Sequence, residues 1–334
     1  MSNERRFGLN QKVEAQLQDV LKSFHIWGQW RELALAITEL SNHFIQQSGP
    51  TPWETERLQA AYLGYFLPLN FARLAAVFHE ASQLGFQWQT PVIDIGSGPG
   101  TAHLAALSLL PHSALWKSWE VSTHAIDLHQ KILGQKNSDN VEWLQKQPSF
   151  KKSTVIASYA LNEWPNWPQT LLEAEQIIIV EPSTQMAGRR LMEFRQKLID
   201  QGFHIWAPCT HQQLCPLLTE SKRDWCHDRI YFNPPEWWTE LETHLPMRNQ
   251  TLTFSYLIAS RAKPKQQTSQ QKARVIGDTL YEKGKTRQAV CRGPHREFLS
   301  WLRRDGEAVQ LQHGQLIELP LDIEKKGNEL RLKP

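Results

Sequence analysis

The stretch PVIDIGSGPGTAHLAALSLL, Pro91 to Leu110, runs from a short apolar segment through three closely spaced glycines into a helical pattern. The apolar segment predicts a strand over Val92–Ile95, and the helix is predicted to begin near Thr101. A glycine-rich turn between a strand and a helix is typical of a nucleotide-type site, because a Cβ there would hold a ligand away from the backbone N–H groups. The sequence therefore predicts an α/β fold with a ligand at this turn.

The spacing of the glycines favours one ligand class. A dinucleotide fingerprint puts its third glycine three residues after the second, whereas Gly96, Gly98 and Gly100 lie two apart. This spacing favours S-adenosylmethionine. Glu120 ends the next apolar run, 24 residues after Gly96, where a carboxylate is placed to accept the ribose hydroxyls. A plain tight turn and a surface carboxylate are the alternatives.

The arrangement D-x-G-x-G-x-G after this strand resembles motif I of the class I methyltransferases. The resemblance implies that one set of residues contacts the methionine part of S-adenosylmethionine: Asp94, Gly96, Ser97, Gly98 and Gly100. It also implies that Glu120 holds the ribose.

Working outward from this turn, three regions follow from the apolar pattern. Residues 1–85 are predicted to form a helical cap, with Pro68 expected to kink or split its last helical run. Residues 86–262 alternate short apolar runs with helical ones, which predicts a Rossmann-like, mostly parallel sheet carrying a cysteine-rich insertion at 207–236. Residues 263–334 are predicted to form a small, basic, β-rich appendage behind an exposed linker at 263–274.

Methyl transfer is an in-line displacement at a sulfonium, so the protein must position the acceptor and remove its proton if it has one. The acceptor is expected near the end of the fourth strand, within TVIASYALNEW, where Asn162 and Glu163 are the candidate catalytic residues. Helix capping and loop hydrogen bonds use the same residue types. The later Asn233-Pro234-Pro235 lies 137 residues after Gly96, too far for the amine-methyltransferase motif it resembles, and predicts a turn.

The four cysteines are Cys209, Cys215, Cys226 and Cys291. In a chain without an export signal they favour metal or redox chemistry over structural disulfides. The two tight C-x2-C pairs usual for structural zinc are missing, and irregular spacing with a proline beside a cysteine is tolerated in iron–sulfur proteins. Spacing alone leaves open an iron–sulfur cluster, zinc and unrelated thiols.

Charge is unevenly distributed, although the net charge is only +3. From Arg261 to Arg304 there are 12 Lys and Arg against 3 Asp and Glu, which favours an RNA partner and is also compatible with a solvated basic face. Four tryptophans are candidates for base stacking or for core packing: Trp164, Trp167, Trp237 and Trp238. The chain shows no apolar run of about 18 residues and no signal-like start, which predicts a cytoplasmic protein without a membrane partner.

A second resemblance rests on DIGSGPGTA, SYALNEW, IIIVEPST, APCTHQQLCP, DWCHDR and a late CR, in this order between about residues 60 and 300. They are similar to the methyltransferase-like small-ribosomal-subunit assembly family of bacteria and mitochondria. The resemblance implies a class I methyltransferase fold, association with the small ribosomal subunit and its RNA, and a [4Fe-4S] cluster on Cys209, Cys215, Cys226 and Cys291. Ser183 and Asp228 depart from the family pattern, in which the first is often glycine and the second usually aromatic.

Three functions fit these observations. The first is a methyltransferase that uses S-adenosylmethionine on small-subunit ribosomal RNA, with the cluster serving a structural role. The second is a non-catalytic factor in ribosome assembly or translation that keeps the fold. The third is a methyltransferase acting on a small molecule or protein, with zinc on the cysteines. The architecture favours the first.

Overall fold

The computed structural model describes residues 4–46, 49–107, 109, 114–134, 140–164, 166–264 and 271–332. Part of the predicted linker, residues 265–270, lies outside the described residues.

The N-terminal region is mainly helical, as predicted. Its helices are α1 (Gln11–Leu21), α2 (Trp30–Ile45), α3 (Glu56–Ala61) and α4 (Leu67–Gln83), with a π-helical turn, Tyr62–Phe66, between the last two. The N–H of Val13 donates to the Asn10 side chain and caps α1 at 3.0 Å. Pro68 lies in the first turn of α4, directly after this π-helical turn, so the α-helical hydrogen bonding is interrupted next to the proline, where a kink or split was expected.

The helical run Glu56–Gln83 is long and apolar enough to cross a membrane by length and composition alone. In the structure 78% of its most apolar window is buried inside the fold. A core helix passes the same test, and this run covers the main sheet.

The described residues form a nine-stranded main sheet and a second, six-stranded sheet. The strands of the main sheet are β1 (Arg6–Gly8), β2 (Val92–Ile95), β3 (Trp116–Trp119), β4 (Val141–Leu144), β5 (Thr154–Ser158), β6 (Gln176–Glu181), β7 (His204–Ala207), β8 (Asp228–Asn233) and β9 (Thr251–Ser260). Between them lie α5 (Thr101–Ala106), α6 (Thr123–Leu133), α7 (Gln185–Asp200), α8 (Pro216–Thr219) and α9 (Trp238–Thr243).

The main sheet is doubly wound. Parallel strands follow the order β4-β3-β2-β5-β6, and β9 adds to β6 in the antiparallel direction. The chain moves outward from β2 through β3 to β4 and then returns to β5 on the other side of β2. A crevice forms at such a switch point, outside the carboxyl ends of the strands, and this is where ligands bind in open α/β sheets. The predicted Rossmann-like α/β fold is confirmed.

The edge of the main sheet beyond β9 is shared by two strands. β7 pairs with the end of β9 and β8 pairs with its beginning, both antiparallel. The segment that joins them, residues 208–227, lies within the predicted 207–236 insertion and carries three cysteines, while residues 228–233 belong to the sheet. The N-terminal strand β1 pairs in parallel with β8, so the first region is not helical throughout.

The C-terminal region is β-rich, as predicted. Its strands are β10 (Lys272–Glu282), β11 (Lys285–Cys291), β12 (Glu297–Leu302), β13 (Leu316–Glu318), β14 (Glu324–Lys326) and β15 (Glu329–Arg331), in the order β13-β10-β11-β12-β15-β14. The sheet has its own core, which includes Val275, Val290, Leu299, Trp301 and Leu330.

Buried charges join the two sheets. The Arg274 guanidinium, on β10, pairs with Glu80 on α4 and donates to the carbonyl oxygens of Pro208 at 3.0 Å and Gly314 at 2.8 Å. The Tyr256 hydroxyl of β9 donates to the same Glu80 carboxylate at 2.6 Å. One arginine therefore fixes the second sheet against a helix, a strand end and a loop.

The Glu80→Gln substitution is expected to destabilise the protein by about 3 kcal/mol, because it leaves a buried guanidinium without its counter-charge. The Glu39→Gln substitution breaks an exposed pair with Arg57 and is expected to cost under about 1 kcal/mol. Chemical denaturation of both variants measures the difference. Equal losses would mean that the buried pair does not hold the two sheets together.

Candidate functional site

The glycine loop after β2 has a backbone that other residues rarely adopt. Gly96, Gly98 and Gly100 have φ angles of 59°, 50° and 81°. A Cβ on Gly100 would also lie 2.0 Å from the ring of His129 on α6. Both the left-handed backbone and the approach of α6 therefore require glycine there.

Glu120, at the end of β3, braces this loop. One carboxylate oxygen accepts the N–H of Gly98 and the other accepts the N–H of Ser122, each at 2.9 Å. The hydroxyl oxygens of Ser97 and Ser118 lie 2.5 Å apart and link the same two elements. A carboxylate has about four lone-pair positions, so the loop contacts leave acceptor capacity for a ribose.

Asp94 is the most strongly buried acid of the loop. Its side chain lies at the end of β2, only 1% exposed, and one oxygen, Oδ2, has no hydrogen-bond partner within the described part of the chain. Burial, followed by the charge of Glu120, raises the pKa of Asp94 well above its usual value. The hydroxyl of Thr101 is also buried, close to that of Tyr62. An unpaired buried carboxylate oxygen beside a glycine loop fits a polar ligand with a cationic group.

Two aromatic side chains of the helical region, Trp53 and Tyr62, cover the loop. The ring of Trp53 lies 3.5 Å from where a Cβ of Gly98 would stand, and it packs on Tyr62 with the ring centroids 4.8 Å apart. Burial raises the pKa of Tyr62 to about 12, with Glu163 and Glu120 adding to the shift. Neither aromatic residue was indicated by the sequence, because Trp53 lies in the turn before α3 and Tyr62 in the π-helical turn, both far from the loop in the chain.

Asn162 and Glu163 lie beside the glycine loop, as expected of acceptor-binding residues. They belong to a short 3-10 turn, Leu161–Glu163, after β5, and their side chains are exposed. A Cβ on Gly96 would lie 2.9 Å from the Cβ of Ala160, so this turn and the loop are in contact. Desolvation, followed by the charge of Glu120, raises the pKa of Glu163. Their catalytic role stays a prediction.

Glu181, at the end of β6, supports the same turn and was missed as a site residue. Its Oε1 accepts the N–H of Leu161 at 3.2 Å, while Oε2 is buried without a partner among the described residues. Burial raises the pKa of Glu181 to about 8. Glu181 is the acid of IIIVEPST, so its position after an apolar strand was the available signal.

The four cysteines line one cavity at the junction of the two sheets. Cys209 and Cys215 follow β7, Cys226 precedes β8, and Cys291 ends β11 of the second sheet. Cys291 lies 65 residues after Cys226 in the sequence, and β11 brings it back to the others. The structure therefore brings together the four predicted ligands.

Polar contacts tie the cysteine-bearing segment to the second sheet. The Thr210 hydroxyl donates to the carbonyl oxygen of Cys291 at 3.2 Å, and a ring nitrogen of His211 lies 3.3 Å from the Cys291 sulfur. Burial and the neighbouring cysteines raise the pKa values of Cys215, Cys226 and Cys291. The raised pKa values mean that these thiols keep their protons at neutral pH. A metal centre, which binds thiolates, would have to displace those protons.

Arg195, on α7, points into the cavity and was missed by sequence reasoning. It is 1% exposed, and its Nε donates to the Cys209 sulfur at 3.3 Å while Nη2 donates to the carbonyl oxygen of His211 at 2.8 Å. A buried cation beside four thiols suits an anionic centre. The signal was an arginine in phase with the apolar face of α7, three and four residues after Met192 and Leu191.

No group of three or more His, Cys, Asp or Glu among the described residues is close enough to hold a single metal ion.

In the structure, carboxylates compensate much of the positive charge of the basic segment 261–304. Several of its cations pair with carboxylates, some from outside the segment: Arg274 with Glu80, Lys285 with Glu329, Arg287 with Glu282, Arg292 with Glu297, Arg296 with Asp224 and Arg304 with Asp305. Trp237 and Trp238 are buried and pack in the core. Binding of RNA through this segment stays a prediction.

A family model described as mitochondrial small ribosomal subunit Rsm22 matches residues 56–310. The chain belongs to the Rsm22 family. The match contains the glycine loop and all four cysteines, so it covers both parts of the candidate site.

Among curated relatives of this Rsm22 family member, the human ribosome assembly protein METTL17, mitochondrial, is 27% identical over 198 residues. The alignment spans 49% of this chain and 42% of the human protein. Solved structures with partial overlap include two methyltransferases. One is the precorrin-6y C5,15-methyltransferase of Geobacter metallireducens, with 14% identity over 57% of this chain and 87% of that one and a TM-score of 0.36. The other is the magnesium protoporphyrin IX methyltransferase of Synechocystis PCC 6803, with 15% identity over 57% and 86% and a TM-score of 0.32.

The Gly100→Ala substitution is expected to destabilise this protein by about 3 kcal/mol or more, since backbone strain adds to overlap with His129. Gly85→Ala is a matched control, because Gly85 also has a positive φ, 74°, but a Cβ there would meet nothing within 4 Å. We expect the control to lose about 1 kcal/mol from strain alone. Free energies of unfolding compare the two, and equal losses would contradict the contact with α6.

Proposed function

We propose that this Rsm22 family member binds S-adenosylmethionine at the glycine loop, holds a [4Fe-4S] cluster on its four cysteines, and serves the assembly of the small ribosomal subunit by binding its RNA. The observation that carries the proposal is that four cysteines from two distant parts of the chain line one cavity in a protein with a methyltransferase-type glycine loop.

The loop supports S-adenosylmethionine as its ligand. The unpaired Oδ2 of Asp94 suits the cationic amine of the methionine part, which would offset the cost of burying the carboxylate. The remaining lone pairs of Glu120 suit the ribose hydroxyls. The bare backbone of Gly96, Ser97, Gly98 and Gly100 admits the ligand close to the chain.

The arrangement of the thiols supports a cluster over zinc. A zinc ion needs its ligands within about 2.3 Å of one point, whereas each iron of a [4Fe-4S] cluster takes a single thiolate, so the four thiolates stand apart. Four thiols that line one cavity and come from both sheets fit the second case. Arg195 supplies positive charge beside this anionic centre. The role we propose for the cluster is structural, since its ligands come from both sheets.

Two observations support the ribosomal role. The chain belongs to a family described as a mitochondrial small ribosomal subunit protein, and a curated relative is a ribosome assembly protein. The name of that relative places it in mitochondria. For this chain we keep the cytoplasmic location predicted from the sequence, as part of the proposal.

Methyl transfer to small-subunit ribosomal RNA is a second candidate, favoured by the acids beside the loop. Glu163 and Glu181 both have raised pKa values, and the Glu181 value of about 8 suits a proton acceptor near neutral pH. Asn162 has an amide with which to orient an acceptor. Incubation of the protein with labelled S-adenosylmethionine and immature small subunits separates this candidate from a purely structural role, because only an enzyme transfers the label to RNA.

The Asp94→Asn substitution is expected to weaken binding of S-adenosylmethionine by at least about tenfold, because it removes the charge that pairs with the ligand amine. Asp127→Asn, an exposed aspartate on α6, is the matched control and should bind as the native protein does. Isothermal titration calorimetry measures both affinities. Native affinity in Asp94→Asn would refute the assignment of the loop.

Anaerobically purified protein is expected to be brown and to contain about four iron atoms per chain. The Cys291→Ser substitution should abolish the colour and weaken binding to small subunits, because it releases the second sheet from the cavity. Val309→Thr, in the exposed loop between β12 and β13, is the control and should keep both. Iron analysis and co-sedimentation provide the measurements, and stoichiometric zinc without iron would overturn the cluster.

A further inference from the structure

The six strands of the second sheet follow one continuous path. β13 pairs with β10 and β14 pairs with β15, and only residues 319–323 separate β13 from β14. β13 and β14 can therefore be counted as two halves of one bent strand, which reduces the six strands to five. The path then runs from β10 through β11, β12 and β15 to this bent strand and back to β10. β12 and β15, the third and fifth strands of the path in chain order, are parallel. A five-stranded, partly open barrel with this connectivity is the OB fold.

The first strand bends as closure of such a barrel requires. β10 spans 11 residues, and its pairing with β11 shifts register between Val275 and Thr279. Gly277 lies in this irregular stretch, where an added Cβ would stand 3.0 Å from the Cβ of Ala289. A bulge with glycine at a close approach is the usual device for bending a long strand around a barrel.

We infer that the C-terminal sheet is an OB-type barrel and that the outer face of β11 and β12 binds single-stranded RNA. In OB folds this face, formed by the second and third strands, binds oligonucleotides. The outer face is readable from the alternation of burial: Thr286, Gln288 and Val290 point into the core, so Arg287 and Ala289 point outward.

An aromatic ring with two flanking guanidinium groups occupies this face. Phe298, half-buried on β12, stands opposite Ala289. The guanidinium carbon of Arg287 lies 4.8 Å from the centre of the Phe298 ring, and that of Arg296 lies 6.0 Å from it. Aromatic rings and arginine planes are the groups on which unpaired bases stack.

Charge compensation on this face favours stacking over non-specific attraction. Arg287 pairs with Glu282 and lies 3.6 Å from Glu329, which also pairs with Lys285. A face whose cations already have partners attracts a duplex backbone weakly, because duplex affinity depends on unpaired cations. The bases of a single strand, in contrast, gain from the ring and the guanidinium planes whatever the net charge.

The turn between β11 and β12 connects the face to the cysteine-bearing segment. The Arg296 N–H donates to the Glu220 carboxylate at 3.0 Å, and the Arg296 guanidinium pairs with Asp224 at 2.6 Å. Both acids lie between Cys215 and Cys226. The RNA-binding face therefore continues to the edge of the cysteine cavity.

This inference rests on the proposed function only for the natural source of the RNA, which would be the small subunit. The binding itself is measured with a free oligonucleotide. Failure of small-subunit binding would overturn the proposed function, and failure of methyl transfer would remove only its second candidate; both results would leave the RNA face in place.

The test uses the full-length protein and a fluorescent oligouridine of about 12 nucleotides, within the range that one OB fold covers. A duplex of equal length is the competing probe. We expect the single strand to bind at least about tenfold more tightly than the duplex. Phe298→Leu should weaken single-strand binding by about tenfold, and Arg296→Lys, which keeps the charge and removes the plane, by about threefold or more. Arg57→Lys on α3 is the matched control and should bind unchanged.

Three results would overturn the inference. The first is equal affinity for single strand and duplex. The second is native single-strand affinity in both Phe298→Leu and Arg296→Lys. The third is loss of small-subunit binding in these variants without loss of oligouridine binding, which would assign the face to a protein partner. If Phe298→Leu fails to fold by thermal melting, the charge-preserving Arg296→Lys change at this half-buried position still decides.

Discussion

The junction between the two sheets depends on the buried guanidinium of Arg274. It stands opposite Cys291 in the pairing of β10 with β11 and binds the carbonyl oxygen of Pro208, the residue before Cys209. A single side chain thus fixes the relative position of two cysteines that are far apart in the sequence. Its partner Glu80 extends the same contact to α4, which covers the main sheet. The cavity keeps its shape because moving this buried guanidinium away from Glu80 and its carbonyl acceptors would leave its charge uncompensated.

Local sequence was sufficient to predict the glycine loop. The left-handed backbone at Gly96, Gly98 and Gly100 and the acid at Glu120 are encoded within about one βαβ unit, so spacing alone indicated a site at the end of β2. The helical and β-rich regions were also predictable, because their apolar periodicity is local in the sequence. Local sequence was not sufficient for the cysteine set, because no spacing rule links Cys291 to three thiols in another part of the chain.

Contacts between distant elements escaped prediction. Trp53 covers the loop from the helical region, His129 supports it from α6, and Arg195 reaches the thiols from α7. His129 and Arg195 have ordinary local roles in their helices, and Trp53 lies in the turn before α3, so only the tertiary packing assigns these residues to a site. The strand β1 was missed because three residues are too few to show an alternating pattern. Pro68 marked an irregularity in the helical run, and the π-helical turn directly before it is the form that this irregularity takes.

The position of Cys291 also has a consequence for the order of events during synthesis. Three of the thiols emerge from the ribosome well before β11, and the wall that β11 supplies is the last to be made. Once the residues up to Ser260 have left the ribosome, all nine strands of the main sheet are available, while the pocket has three thiols and lacks the wall that β11 supplies. Closure of that pocket therefore marks a chain whose translation has passed the hairpin of β10 and β11, so partial products are chemically distinguishable from finished protein.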